Sequence, residues 1–283
     1  MSNKFRDWMM RHASQQAPRG CLLALFAIAF LACVPNVHAQ SVPPNPSLAG
    51  KAARLIAAYP EQLDRLDGAI LVFKDGTRLK FDDGRGQKSF DEMLAHADIK
   101  DQFAQAYPAA AVIAPPALDF DPGRFRSEAF FTKMYGDCTK HEVMPRLVTI
   151  DWLPKKKGGS LAVTPVNGVA SRLKAVSAEL DDLPASFDKF LIPAAGVYNC
   201  RRVAGTRQRS MHAYAAAIDI NVRHSDYWQW SKRGRGASIP YKNVVPKEIV
   251  SIFERHGFIW GGRWYHYDTM HFEYRPELVG RVP

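Results

Sequence analysis

Two short motifs, far apart in the chain, constrain its fold more than anything else in it. One is Ser210-Met211-His212-Ala213-Tyr214-Ala215-Ala216-Ala217-Ile218-Asp219; the other is Tyr267-Asp268-Thr269-Met270-His271-Phe272-Glu273. Period-two alternation across Ala215 to Asn221 sets Ala217, Asp219 and Asn221 on one face of a strand, with Ala216, Ile218 and Ile220 on the other. The same alternation turns His271 and Glu273 one way and Phe272 and Tyr274 the other. Burying the apolar faces of both strands against one core aims His212, Asp219 and His271 into one cleft. The expected architecture is therefore α+β, a small antiparallel sheet bearing the site with helices packed around it.

Two imidazoles and one carboxylate suit Zn²⁺. A catalytic zinc needs three protein ligands, an open position and a nearby base. Zinc lowers the pKa of water that it binds from about 15.7 to about 7. Asp268, three residues before His271, is the expected general base, near the metal without binding it. A lone histidine is usually a surface or satisfied core residue, so the weight rests on the two motifs together. Glu273, on the same face as His271, is the rival ligand. His256 falls at a helix end, and His224 and His266 read as surface or supporting groups.

The first forty residues address the chain. Lys4, Arg6, Arg11 and Arg19 precede an uninterrupted apolar run from Cys21 to Val34, and Val37-His38-Ala39 ends in a small residue. This is the pattern of a signal peptide over residues 1–39. The run is short of the roughly 20 residues of a membrane span, and no later segment supplies one. The expectation is an exported protein, periplasmic or cell-wall associated. Four of its 38 Lys and Arg and one of its 28 Asp and Glu lie in residues 1–39, so the remainder carries about +7. A basic exported chain suits an anionic wall polymer. Nucleic acid is discounted, because the basic residues are dispersed apart from Lys155-Lys156-Lys157. Only Cys138 and Cys200 remain after the signal segment, and in an oxidising compartment they most simply form one disulfide. It would close a loop of about 60 residues and contribute roughly 3–4 kcal/mol. A metal site of Cys138 and His141 is the weaker alternative.

Residues 40–47 read as extended. Leu48 to Ala58 reads as a helix, and Ala69–Phe73 and Arg78–Phe81 flank Asp75-Gly76 as a hairpin. Ser89 to Tyr107 looks helical, and prolines at 108, 115, 116 and 122 mark a boundary. An N-terminal α/β extension over 40–125 and a catalytic domain over 126–283 follow. Arg146–Leu153 and Leu161–Thr164 bracket a Lys/Gly turn. Val169, Leu173, Val176 and Leu180 form one apolar helix face, and a further helix runs from about Pro246 to His256.

The pattern Ser-x-His-x-x-x-x-Ala-x-Asp, followed by Asp-x-x-His-Phe-Glu, resembles the zinc D-Ala-D-Ala carboxypeptidase and L-alanyl-D-glutamate endopeptidase family, whose fold is shared with the hedgehog signalling domain. Gly196-Val197-Tyr198-Asn199-Cys200-Arg201, Ala204-Gly205-Thr206 and Trp260-Gly261-Gly262 look like its endopeptidase-type branch. The likeness spans roughly residues 130–280. It implies His212, Asp219 and His271 as zinc ligands, Asp268 as catalytic base, and Arg201 as the arginine that stabilises the oxyanion, with Arg202 as the alternative. It implies peptidoglycan stem peptides as substrate, with cleavage between L-Ala and D-Glu favoured over removal of terminal D-Ala. A wall- or partner-binding module that keeps zinc without catalysis is the competing class. Ala215 departs from the family glycine, where a methyl would tighten the turn or narrow the pocket. Trp260, Trp264 and Tyr265 are candidate cleft walls.

Overall fold

The computed structural model describes residues 47–231 and 238–280; the expected signal peptide lies outside the described residues. Helix α1 (Leu48–Ala58) starts where the Ser47 side chain accepts from the Gly50 amide, and it buries Ala52 and Leu55. Strands β1 (Leu63–Asp67), β2 (Ile70–Phe73) and β3 (Arg78–Lys80) form an antiparallel meander. The expected turn lies between β2 and β3, where Gly76 takes φ +83° and Asp75 accepts from the Thr77 amide. Strand β1 is masked in the sequence by its charges: of Leu-Asp-Arg-Leu-Asp, only Leu63 is buried.

The helix expected over 89–107 is interrupted. Helix α2 (Phe90–His96) opens on a capping box of Ser89 and Glu92 and stops at Ala97, whose ψ is 134°. Asp98 accepts from the Asp101 amide and Asp101 from the Asp98 amide, so the chain restarts as a 3₁₀ turn over Lys100–Phe103. Such local side-chain bonds compete with helix continuation. Helix α3 (Glu128–Tyr135) follows and ends at Gly136, φ +98°. Strands β4 (Val148–Asp151) and β5 (Ser160–Val163) make the expected second hairpin, cut short where Leu153 turns left-handed. Helix α4 (Val169–Asp181) buries Val169, Leu173, Val176 and Leu180, as their spacing predicts. Helix α5 (Asp188–Leu191) is one turn.

The site rests on the third sheet. Strand β6 (Ala217–Asp219) pairs with β8 (His271–Tyr274), which pairs with β7 (Phe258–Trp260); the order is β6-β8-β7, all antiparallel. Helix α6 (Lys247–Arg255) covers one face, stacking Phe253 on Phe272 at 3.8 Å between ring centres. Ile218, Ile220, Phe272 and Trp260 are buried there, while Asp219 and His271 look the other way. Helix α7 (Pro276–Val279) ends the described chain. Residues before and after position 125 share one core, in which Tyr59, Phe73 and Phe103 join Phe130, Phe131 and the sheet residues. No described helix is long and apolar enough to cross a membrane.

Cys138 and Cys200 are bonded, with Cα atoms 5.7 Å apart and 62 residues of separation. The bridge ties the end of α3 to the segment carrying Arg201. Oxidised mature protein should show no free thiol on titration under denaturing conditions; two free thiols would contradict the pairing. Cys138→Ser should lower unfolding free energy by about 2–5 kcal/mol in denaturant titration.

Candidate metal centre

Register decides what the sheet presents. Asp219 stands directly opposite His271, Ile218 opposite Phe272 and Ala217 opposite Glu273. Directly opposed residues hold their Cβ atoms about 4.5–5.5 Å apart, and a slip of one residue would send His271 into the core. His212 arrives differently from the expectation. It sits on a 3₁₀ turn, Met211–Tyr214, capped by the Ser210 side chain, rather than on a strand. Ala215 closes that turn in the left-handed region, φ +53°, and the chain enters β6.

Hydrogen bonds fix both imidazoles. His212 Nδ1 lies 2.7 Å from the Val197 carbonyl oxygen, which can only accept, so Nδ1 carries the proton and Nε2 keeps its lone pair. His271 Nε2 donates to Glu273 Oε2 at 3.0 Å, leaving the lone pair on Nδ1. Those two free nitrogens are 3.1 Å apart, and Asp219 Oδ1 lies 3.1 Å from the first and 3.0 Å from the second. Three potential metal-donor atoms thus face one another within 3.1 Å. A tetrahedral ion with bonds of about 2.0–2.1 Å has donor–donor edges of about 3.3 Å. The group fits Zn²⁺.

Glu273, the rival ligand, is on the expected face but behind His271. Its carboxylate is completely buried, bonded to His271, Arg126 and Arg275, and burial notwithstanding these partners hold it well below the usual carboxylate range. A carboxylate on the far nitrogen of a ligating histidine fixes ring orientation and raises basicity. The other acidic group among the described residues, Asp82, Asp83 and Asp98, is paired internally with Lys88, Lys100 and Arg85.

Asp268 lines the same cleft, a cavity of about 210 Å³. Its Oδ1 is sealed from solvent and has no hydrogen-bond partner, an arrangement that awaits a donor. Burial and the nearby Asp219 charge push its carboxyl up to about 6, close to the range in which a base exchanges protons readily at neutral pH. The backbone is held by the Trp-Gly-Gly segment, since the Asp268 amide donates to the Gly261 carbonyl at 3.0 Å. A Cβ on Gly261 would come within 2.5 Å of the Asp268 carbonyl oxygen, so glycine is required there.

Of the two adjacent arginines, Arg201 lines the cleft, and Arg202 turns away to the Arg207 carbonyl and Glu128. Trp264 walls the cleft, whereas Trp260 is core, stacked near Phe272, and Tyr265 accepts from the Ile239 amide. Sequence reasoning missed Arg124, Arg126, Tyr227 and Trp228, which also line it. His266 is a cleft residue too. Ala215 does not line the cavity; its methyl lies in the core, so the departure from glycine falls on the backbone rather than on the pocket.

Residues 204–274 match the family model described as D-alanyl-D-alanine carboxypeptidase. No curated protein and no solved structure matches the chain. The matched stretch contains His212, Asp219, Asp268, His271 and Glu273, while Arg201 and the 121–126 segment lie outside it. The stretch that resembles this peptidase family thus holds the His-Asp-His candidate metal group.

His271→Ala should lose most zinc in elemental analysis of purified protein. Glu273→Gln should still bind zinc, with affinity reduced about 10–100-fold in chelator competition. Equal loss from both variants would make Glu273 a direct ligand.

Proposed function

We propose that this protein is an exported zinc peptidase that hydrolyses peptide bonds of peptidoglycan stem peptides, with L-Ala–D-Glu cleavage favoured over release of terminal D-Ala. The observation that carries it is the convergence of three potential metal-donor atoms beside a carboxylate with an unpartnered oxygen. In this reading residues 126–283 are the catalytic domain and residues 40–125 its extension, behind a signal peptide over 1–39. The preference for the endopeptidase bond rests on the branch likeness of residues 196–206 and 260–262; the family description favours the carboxypeptidase bond as second reading.

His212, Asp219 and His271 hold the zinc. When bound, zinc supplies Lewis-acid polarisation of a carbonyl and acidification of water near neutral pH. The Asp268 carboxylate accepts the proton of the attacking water and returns it to the leaving amine, so one carboxyl serves both halves of the reaction. The Arg201 guanidinium faces the cleft with no hydrogen-bond or ion-pair partner among the described residues, free to stabilise negative charge growing on the scissile carbonyl oxygen. Tyr227, Trp228 and Trp264 wall the cleft and exclude water around these charges.

Asp268→Asn preserves shape but cannot take a proton. It should keep zinc and its melting temperature yet lose about 10²–10⁴-fold in kcat on defined muropeptides followed by mass spectrometry. Equal turnover by the zinc-loaded variant would remove Asp268 from the mechanism. Wild-type protein that binds wall material but cleaves no stem peptide would establish the binding-module alternative instead.

A further inference from the structure

Asp121 is fully buried, in the segment between the N-terminal meander and α3. Its Oδ1 accepts from the His266 amide at 3.0 Å, and its Oδ2 accepts from His266 Nδ1 at 2.7 Å and Arg124 Nη1 at 2.8 Å. Both gripped side chains line the cleft that holds Asp219, Asp268 and His271. His266 and Arg124 keep 19% and 11% of their side-chain surface exposed. Each is further braced by rings: Trp228 meets His266 edge-on at 4.8 Å, Phe90 packs on it at 5.8 Å, and Arg124 lies over Trp264 at 5.7 Å.

One buried carboxylate therefore orients two cation-forming side chains and spends only one donor of each side chain. Protonated imidazole has a second donor at Nε2, and guanidinium has four N–H groups beyond the one given to Asp121. What remains on the cleft wall is a preoriented guanidinium with unspent N–H groups beside the His266 ring, which adds a second donor when its imidazole is protonated. Such an arrangement recognises a carboxylate through charge-assisted hydrogen bonds.

We propose that His266 and Arg124, set by Asp121, form a subsite for the free carboxylate of the residue that leaves with the amine. This rests on the peptidase reading above. His266 is two residues from Asp268, which hands the proton to that amine, so the two groups approach the leaving side from one chain segment. Both candidate bonds fit, because terminal D-Ala and D-Glu can each present a free carboxylate on the carbon that bears the leaving nitrogen. Asp121 is a positioning residue, acting only through its two partners, and it gives the segment before residue 126 a part in substrate choice.

The test compares one stem peptide whose leaving-side α-carboxyl is free with the same peptide amidated there, using zinc-loaded mature protein. Wild type should favour the acid by about ten- to hundredfold in kcat/KM, the scale of hydrogen bonds to charged groups. In His266→Phe, which keeps ring packing, and in Arg124→Gln, that ratio should fall toward one. Asp121→Asn should give an intermediate ratio with KM moving more than kcat, which a general loss of stability would not produce. Zinc content and melting temperature identify any misfolded variant, and the remaining variants then decide. A wild-type ratio near one overturns the subsite, as does an unchanged ratio in the folded variants. If wild type cleaves neither peptide, the peptidase reading fails and the same pair is read by calorimetric Kd. A preference for the acid that His266→Phe abolishes then upholds the subsite, and equal Kd values overturn it.

Discussion

The buried carboxylate of Glu273 is the interaction on which the rest of this structure depends. It bonds His271 on one side and Arg126 and Arg275 on the other, with no exposure to solvent. Arg275 extends the network to Glu277 and to the Gly123 carbonyl, and Glu277 accepts from the Tyr59 hydroxyl of the N-terminal segment. Removing these charges from water costs several kcal/mol per ion, offset only where every donor and acceptor is matched. The return is directional. Geometry that satisfies Glu273 also holds His271 Nδ1 toward Asp219, so assembling the metal group and satisfying the core charges are one event.

That coupling makes sense of the N-terminal segment. Tyr59 bonds Glu277 of α7, the Gly123 carbonyl accepts from Arg275 just after β8, and Arg124 lines the cleft. Tyr107 donates to Glu254 of α6 and accepts from the Trp260 amide, bracing β7 from the same side. Residues 47–125 thus share hydrogen bonds with the sheet that bears the donors and with the elements packed on it. A peptidase built on residues 126–283 alone would leave Glu254 without its Tyr107 partner and Arg275 without the Gly123 carbonyl.

Asp219 and His271 were legible because each lies where local pattern and chemistry agree, whereas His212 comes from a 3₁₀ turn that alternation does not report. Alternation marked Asp219 and His271 as facing away from the isoleucines and Phe272, and strand register then made them neighbours. Helices α4 and α6 followed from apolar spacing and flanking Pro246 and Gly257. What stayed hidden depends on long-range partners. Glu273 shares the His271 face in any strand, and only the burial of Arg126 and Arg275 decides that it braces the ring from behind. His266 reads as a surface residue until Asp121, far away in sequence, is brought under it. Strand β1 and the break at Asp98 were hidden because charged side chains were making local bonds that no periodicity reports.

Ala215 shows how the same site distributes strain. The residue must turn left-handed so that His212, at the end of one direction of travel, and Asp219, on the strand that follows, face a common point. A left-handed L-residue costs roughly 1–2 kcal/mol, a cost glycine would avoid. The turn persists because its neighbours over-determine it: the Ala215 amide donates to the His212 carbonyl, and its own carbonyl accepts from Thr164 on the far side of the core. Its methyl is fully buried among apolar residues, so replacing it with glycine would relieve the backbone and lose packing of similar size. Alanine in place of glycine is therefore close to neutral for stability at this turn and remote from the cleft.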